Sequence, residues 1–257
     1  MELMHITLEL AVLLLGIAFI AGFLDTLAGG GGLLSLPALL LTGIHPLTAL
    51  GTNKLQGTAG TASATFAVLK ARKVSWPSVR WLMLNAFIGS ALGTIAVQFI
   101  NIDALSFIIP AVLLIMGLYF LFSPRLGEYQ SEAKLSAPLY SKIIVPIIGW
   151  YDGMFGPGTG SFFALAGVSL RGHPLIEATA IAKTLNFSTN IASLIIFLFA
   201  GQIAWAAGLI MVLGQLAGAR LAAKYLFSIR PQVLRPIIVC MCFGMLIKYS
   251  IQANWFG

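Results

Sequence analysis

Charged residues are scarce in this chain: Asp, Glu, Lys and Arg make up 9% of its 257 residues, whereas soluble domains carry about 25%. So little charge cannot cover a water-facing surface, which excludes a soluble enzyme, a nucleic-acid-binding module and a disordered chain. Apolar residues dominate instead, at 59% of the total, and the mean hydropathy is +0.96. We therefore expect a polytopic membrane protein with a single transmembrane domain.

Cysteine is almost absent as well. The two cysteines, Cys240 and Cys242, would not face each other on one helix, so we expect neither a disulfide framework nor a metal site, and no other cofactor. The net charge of +7 does not indicate a nucleic-acid partner, because most basic residues flank apolar segments and favour a role in orientation. The first nine residues lack Lys and Arg, so we expect no cleavable signal peptide.

Internal similarity indicates that the chain is built twice. Five matches recur in the same order: Gly-Phe-Leu-Asp with a glycine run at 22–32 and Gly-Trp-Tyr-Asp with a glycine-rich loop at 149–160, His-Pro-Leu at 45–47 and 173–175, Asn-Lys at 53–54 and Ala-Lys at 182–183, Val-Ser-Trp at 74–76 and Ile-Ala-Trp at 203–205, and small-residue helix-packing signals at 89–93 and 214–218. We predict two tandem structural repeats, 1–123 and 139–257, joined by a cytoplasmic linker at 124–138.

Each predicted repeat contains the same helices. A first apolar run ends at the Asp and the glycine loop, and a run of about ten residues follows, too short for a core that needs about 20. Together they predict a glycine-tipped re-entrant hairpin, which is tolerated only where protein or a watery cavity surrounds it. Three longer segments complete each half. The hairpin runs are 8–24 with 33–42 and 139–152 with 161–171, and the longer segments are 52–70, 79–100, 104–123, 177–199, 202–222 and 233–252.

Basic residues discriminate between two topologies. If each hairpin returns to its own side, the halves are inverted, and 12 of the 15 Lys and Arg residues share one side, with only Lys248 opposite and Lys54 and Lys183 inside the membrane. If both hairpin arms cross, the repeats are parallel and the split is eight against five. The distribution favours inverted repeats, with both termini outside and the loops at 70–80, 123–142 and 220–235 in the cytoplasm.

Ionisable residues at membrane depth are candidates for function, since each costs at least about 2.5–3.5 kcal/mol at the bilayer centre. Four are predicted there: Asp25, Lys54, Asp152 and Lys183. Polar residues follow each lysine at helical spacing, forming stripes that should face each other or a wet path. Hydrogen bonding between helices also explains the hydroxyl groups, but it explains the lysines poorly. The stripes are Lys54, Thr58, Thr61 and Thr65, and Lys183, Asn186, Asn190 and Ser193.

The glycine loops complete a predicted anion site. Backbone N–H groups and the positive end of the following short helix point toward each hairpin tip, as in transporters that hold anionic groups; a tight chain reversal alone also explains the glycines. Asp25 and Asp152 have three open roles: capping backbone amides, pairing with the lysines, or coupling to protons. The candidate substrate-binding residues are Lys54, Lys183, Asn53, Asn186, Asn190, Thr58, Gly30, Gly31, Gly158, Thr159 and Ser161.

These motifs resemble the TauE/SafE sulfite-exporter family over essentially the whole chain. Gly-Phe-Leu-Asp-Thr-Leu-Ala with its four glycines at 22–32 and Gly-Thr-Asn-Lys-Leu at 51–55 are similar to the first signature of that family. The second signature of the family is similar to four segments of the second half: Tyr-Asp-Gly at 151–153, Phe-Gly-Pro at 155–157, Lys-Thr-Leu-Asn at 183–186 and Gly-Gln-Leu-Ala-Gly-Ala-Arg at 214–220. The resemblance, greatest to YfcA-type bacterial members, implies an inner-membrane permease for sulfite, sulfonates or related sulfur anions.

The sequence therefore predicts a secondary transporter, not an enzyme, that moves a small anion by alternating access, with sulfite or an organosulfonate as the substrate class. Its expected partners are the anionic solute and the lipid bilayer; nucleic acid is not expected, and homo-oligomerisation is left open. The alternative is an intramembrane aspartyl protease that uses Asp25 and Asp152. That alternative lacks the Gly-x-Gly-Asp motif and leaves the paired lysines without a role.

Overall fold

A computed structural model describes residues 6–122, 132–225 and 231–252, with the side chains of the last range described over 236–251. The regular structure in these ranges is helical. Five helices precede the linker: α1 Leu8–Ala28, α2 Gly32–Leu41, α3 Pro46–Lys70, α4 Trp76–Val97 and α5 Ile102–Phe122. The rest follow it: α6 Ala137–Leu139, a π-helical turn Tyr140–Ile144, α7 Val145–Met154, α8 Thr159–Arg171, α9 Leu175–Phe199, α10 Trp205–Ala223 and α11 Pro231–Gln252. The predicted all-α class is confirmed.

Helix ends are defined by local sequence. The Thr7 hydroxyl accepts a hydrogen bond from the Leu10 N–H (3.3 Å) and caps α1, and Pro46 occupies the first turn of α3, where its missing N–H costs nothing. Two glycines with positive φ border the hairpin loops: Gly29 (φ 75°) ends α1 and Gly158 (φ 79°) precedes α8. Both positions require the left-handed conformation that glycine adopts without strain.

Five of the helices are long and apolar enough to cross a membrane, namely α1, α4, α5, α9 and α10. Helix α3 has 25 residues, but its polar stripe lowers its hydropathy. Helix α2, with ten residues, is about 15 Å long, half the thickness of a bilayer core. The chain is a multi-pass membrane protein by these lengths and compositions. Helix α2 with ten residues and helix α8 with 13 are both too short to cross the core, which agrees with the predicted hairpins.

The second hairpin begins and ends at one end of the molecule. The backbone N–H groups of Lys134 and Leu135 both donate to the Leu170 carbonyl oxygen (3.0 Å each), and the Arg171 guanidinium donates to the Leu135 carbonyl. The chain segment that enters α6 and α7 therefore contacts the last turn of α8. Re-entrant placement stays a prediction, because it concerns the position of these helices in a bilayer. Residues 124–131 of the predicted linker lie outside the described residues.

Helices α3 and α9 pack against each other at the centre, flanked by α10 on α3 and α4 on α9. Helix α1 packs on α10, and α7 packs on α4. Large exposed apolar side chains lie on the outer faces, for example Phe107 on α5 and Leu213 on α10. Each helix pair has a counterpart in which the corresponding helices of the two predicted repeats are interchanged, as two structural repeats would produce. The tandem repeat and its inverted orientation stay predictions.

Glycines let the outer helix pairs approach at backbone distance. A Cβ added at Gly93 of α4 would lie 2.0 Å from the Trp150 carbonyl oxygen of α7, and one at Gly218 of α10 would lie 2.0 Å from the Phe19 carbonyl oxygen of α1. Such contacts leave no room for a side chain, which agrees with the packing role expected of the small-residue signals. The same device joins α1 to α10 and α7 to α4, so it holds both hairpins against the central helices.

Gly218→Ala is expected to destabilise the protein, because its methyl group would overlap a backbone carbonyl that cannot rotate away. Overpacking of this kind costs about 1–3 kcal/mol or more. Gly16→Ala on α1 is the matched control, since nothing lies within 4 Å of a Cβ at that position. Thermal unfolding of both purified variants in detergent checks the difference; equal melting temperatures would contradict the close packing of α1 and α10.

Candidate functional site

The tips of the two glycine loops touch at the centre of the molecule. A Cβ at Gly29 would lie 2.7 Å from the Ser161 backbone nitrogen, and one at Gly160 would lie 3.1 Å from the Cα of Gly29. The Ser161 hydroxyl donates to the Ala28 carbonyl oxygen, which joins the first loop to the second. Two segments more than 120 residues apart in the sequence thus form one structural unit.

Two buried lysines make crossed contacts beside these loops. The Lys54 ammonium on α3 donates to the carbonyl oxygen of Asp152 on α7 (2.5 Å) and forms an ion pair with its carboxylate (2.9 Å). The Lys183 ammonium on α9 donates to the carbonyl oxygen of Asp25 on α1 (2.5 Å). The two lysine side chains are 1% and 2% exposed. Each lysine therefore reaches the aspartate that ends the first helix of the other predicted repeat.

The two aspartates have different partners. The Asp25 carboxylate accepts a hydrogen bond from the Gly31 N–H (3.1 Å), which closes the first loop, whereas the Asp152 carboxylate pairs with Lys54. Both aspartates are buried. Of the three roles left open by the sequence, amide capping is present at Asp25 and lysine pairing at Asp152. Proton coupling stays a prediction.

A small cavity of about 30 Å³ lies between the loops and the central helices. By volume it accommodates about two water molecules, at roughly 10–15 Å³ for each probe-sized site. The described conformation is therefore closed around this point. The cavity is lined by Asp25, Gly29, Gly32, Asn53, Lys54, Gln56, Gly57, Thr61, Asp152, Gly156, Gly158, Asn186, Asn190 and Gln215.

The predicted site residues divide into two groups. Those that line the cavity are Lys54, Asn53, Asn186, Asn190, Gly158, Asp25 and Asp152. Those outside its lining are Lys183, Thr58, Gly30, Gly31, Thr159 and Ser161. The second group has other contacts: the Thr58 hydroxyl donates to the Lys54 carbonyl (2.7 Å), and the Thr159 hydroxyl donates to the Gly156 carbonyl (2.8 Å).

Gly30 and Gly31 of the first loop do not line the cavity. A Cβ at Gly30 would face the Ile238 and Phe120 side chains, and one at Gly31 would meet the Asp25 Cβ at 2.5 Å. Gly31 still contributes to the site, because its N–H holds the Asp25 carboxylate. The predicted role of these two residues as substrate contacts stays a prediction.

The polar stripes serve two purposes along their length. Thr61, Asn186 and Asn190 line the cavity. Further along the helices, the Thr65 hydroxyl donates to the Lys183 carbonyl (3.0 Å), and the Ser193 hydroxyl lies 2.7 Å from that of Ser90. Hydrogen bonding between helices thus accounts for the distal hydroxyls, as the alternative reading proposed, while the residues near the loops face the cavity.

Two glutamines of the cavity were missed by the sequence reasoning. The side-chain carbonyl oxygens of Gln56 and Gln215 are buried and have no hydrogen-bond partner within the described ranges. Gln215 is a polar residue within the apolar helix α10, which is a signal for function. From the sequence, its segment, 214–218, is interpreted only as a helix-packing motif. Gln56 is offset from the stripe by two residues, so helical spacing from Lys54 did not find it.

Charge balance limits what this site can do. When Lys54, Lys183, Asp25 and Asp152 are all ionised, their four charges sum to zero. At Lys54 an entering anion must therefore compete with the Asp152 carboxylate, whereas Lys183 contacts the Asp25 backbone carbonyl. No group of three His, Cys, Asp or Glu side chains suited to a metal occurs in the described part of the chain.

Comparison with known proteins adds the family. The family model "Sulfite exporter TauE/SafE" matches residues 14–249. The chain belongs to the TauE/SafE family. TauE/SafE relatives named as probable membrane transporter proteins occur in Haemophilus influenzae (43% identical over 253 residues, 98% of this chain and 99% of the relative) and, as YfcA, in Escherichia coli K12 (40% over 258 residues, 99% and 96%). No solved structure matches the chain.

This membership confirms the family predicted from the motifs. The signature at 22–32 forms the first loop, and those around Lys54 and Lys183 supply the crossed contacts, so the TauE/SafE motifs converge on one place in the fold. The relatives' names agree with a membrane transporter rather than with an enzyme.

Lys54→Met is expected to destabilise the protein strongly, because it leaves the Asp152 carboxylate buried without its ion-pair partner. Breaking one side of a buried pair costs about 3–5 kcal/mol. The double variant Lys54→Met/Asp152→Asn removes both charges and should recover most of this loss. Thermal unfolding in detergent measures the series, with Lys70→Met at the exposed end of α3 as the control. A double variant no more stable than Lys54→Met would contradict the pairing.

Proposed function

We propose that this protein is a secondary transporter that moves a small anion, sulfite or an organosulfonate-type oxyanion, across the bacterial inner membrane. The observation that carries the proposal is the pair of crossed lysine contacts beside two touching glycine loops. Family membership supports the substrate class, since the family is described as a sulfite exporter. The names of the bacterial relatives support transport.

The lysines supply the charge that an oxyanion needs. An ammonium has three N–H donors, and charge-assisted hydrogen bonds to oxyanions are about twice as strong as neutral ones. The amides of Asn53, Asn186 and Asn190 add neutral donors around the same cavity. Backbone N–H groups at the start of α8 contribute further partial positive charge.

The small cavity volume supports alternating access. The Lys54 and Lys183 residues are almost fully buried, and the cavity beside them is only about 30 Å³. Substrate entry therefore requires the loops or central helices to separate, and the closed arrangement described here corresponds to a conformation between openings to the two sides. Relative movement of the two predicted repeats would supply both openings.

The aspartates hold the lysines when no anion is bound. In the proposed cycle, the entering anion accepts the hydrogen bonds that Lys54 otherwise donates to Asp152. The released Asp152 carboxylate then either turns to the Gln56 and Gln215 amides or takes up a proton. The exchange avoids an unpaired ammonium at membrane depth, which would be costly. Whether a proton accompanies the anion is left to experiment.

The protease alternative has no support from the contacts. Two aspartates that act as a catalytic pair share a proton, whereas Asp152 engages Lys54 and Asp25 engages the Gly31 amide. The relatives are named as transporters.

Sulfite flux should depend on the lysines. We expect proteoliposomes with the wild-type protein to take up ³⁵S-labelled sulfite above the rate of empty liposomes, and the folded double variant Lys54→Met/Asp152→Asn to lose at least about tenfold of this rate, since a charged hydrogen bond contributes roughly 1.5–3 kcal/mol. Lys248→Met, an exposed lysine of α11, is the control. Wild-type flux in both double variants, Lys54→Met/Asp152→Asn and Lys183→Met/Asp25→Asn, would refute the site.

Anion binding should also stabilise the purified protein. A ligand at about a hundred times its dissociation constant adds roughly 2.7 kcal/mol of stability. We expect thermal stabilisation by members of a panel of sulfite, sulfate, thiosulfate, sulfoacetate, taurine, phosphate and small carboxylates, with the effect absent in Lys54→Met/Asp152→Asn. An equal shift in the wild type and the double variant would mean that the anions act elsewhere.

A further inference from the structure

A second cavity lies at the end of the molecule where α3, α8 and the linker segment meet. Its volume is about 780 Å³, and its walls come from the loop after α3, the first turns of α4, the π-helical turn and the loop between α8 and α9. None of its lining residues belongs to the central cavity. The predicted topology places this end in the cytoplasm.

Tyr140 lines this cleft and carries a buried hydroxyl without a described partner. Its side chain is 3% exposed and packs in a buried apolar cluster with Val145 and Phe163. The hydroxyl oxygen has no hydrogen-bond partner among the described residues, and the residue lines the cleft. A buried hydroxyl without a partner costs free energy, so its position indicates that a ligand or water completes it.

An irregular helical turn positions Tyr140. Tyr140 begins the π-helical turn Tyr140–Ile144, between α6 and α7. Such turns are rare and occur frequently at functional sites. The Asn85 side chain of α4 donates to the Ser141 carbonyl (2.9 Å) and fixes the turn against a second helix.

The cleft that Tyr140 lines also contains basic residues. Arg72, Lys73 and Arg171 line the same cleft, and Arg171 uses its guanidinium to bind the Leu135 carbonyl, a contact that holds one face of a group with five N–H donors. The only carboxylate in the lining is Glu177, which lies 3.1 Å from the His173 ring. Among the described lining residues, the two arginines Arg72 and Arg171 outnumber this carboxylate, which suits an oxyanion.

Two tryptophans indicate where the cleft lies relative to a bilayer. Trp76 and Trp81, both in its lining, are 57% and 62% exposed. The Arg80 guanidinium lies 5.5 Å from the Trp81 ring centre. Exposed tryptophans at helix ends beside arginine are typical of the headgroup level of a membrane.

We propose that this cleft binds the phosphate group of an anionic phospholipid headgroup, with the Tyr140 hydroxyl and the Arg171 guanidinium as its principal ligands. Basic pockets between helices at the cytoplasmic surface bind anionic headgroups in this way. A free phosphate ion shares the same chemistry, but the exposed tryptophans and the position at the headgroup level favour the lipid. The inference concerns a site separate from the central cavity and does not depend on the transported anion.

Native mass spectrometry of the full chain in detergent tests the site with equimolar phosphatidylglycerol and phosphatidylcholine. The wild type is expected to retain phosphatidylglycerol preferentially. Tyr140→Phe removes only the hydroxyl and should weaken its retention at least about tenfold, as expected for a hydrogen bond to a charged group. Arg171→Gln should weaken it at least about tenfold.

Lys224→Gln, an exposed cation at the end of α10 away from the cleft, is the matched control and should retain the lipid as the wild type does. Equal retention of phosphatidylglycerol by all variants would overturn the proposal, and Tyr140→Phe keeps it testable if Arg171→Gln fails to fold. Inorganic phosphate that displaces the lipid or stabilises the protein alone, with the same dependence on Tyr140 and without lipid preference, would also overturn it in favour of a soluble ion.

Discussion

A lysine at membrane depth must keep hydrogen-bond acceptors around its ammonium, and this requirement shapes the centre of the molecule. Lys54 and Lys183 satisfy it at the carbonyl oxygens of Asp152 and Asp25, each 2.5 Å away. Those carbonyls lie in the last turns of the first helices of the two hairpins, and the Asp25 carbonyl also accepts the Gly29 N–H that ends α1 (2.8 Å). The glycine loops thus expose acceptors to the lysines, and the lysines in turn hold the two loops together.

The surrounding helices make that arrangement possible. Backbone contact at Gly93 and Gly218 brings α4 to α7 and α10 to α1, so both hairpins are clamped while α3 and α9 pack at the centre. The same closeness explains why the cavity between the loops is only about 30 Å³. A centre held by hydrogen bonds between two loops can separate without unfolding either one, which is the property that alternating access requires.

Much of this could be predicted from the sequence, because apolar run length and glycine position are local signals. The runs 33–42 and 161–171 correspond to the short helices α2 and α8, and the lysines were identified from their cost in a bilayer. The direction in which a side chain faces was harder to predict, because it depends on how a helix is rotated by its neighbours. Thr58 and Gly30 therefore lie outside the cavity lining, while Gln56 and Gln215 lie within it. The π-helical turn at Tyr140 left no pattern in the sequence.

The central claim is that an oxyanion binds between the glycine loops at the paired lysines. Crystals grown with selenite, the heavier analogue of sulfite, would locate the anion through the anomalous scattering of selenium. The account predicts a selenium peak within hydrogen-bond distance of the Lys54 or Lys183 ammonium, with the Lys54–Asp152 distance lengthened from 2.9 Å. Selenium bound only at other positions, with that ion pair intact, would contradict it.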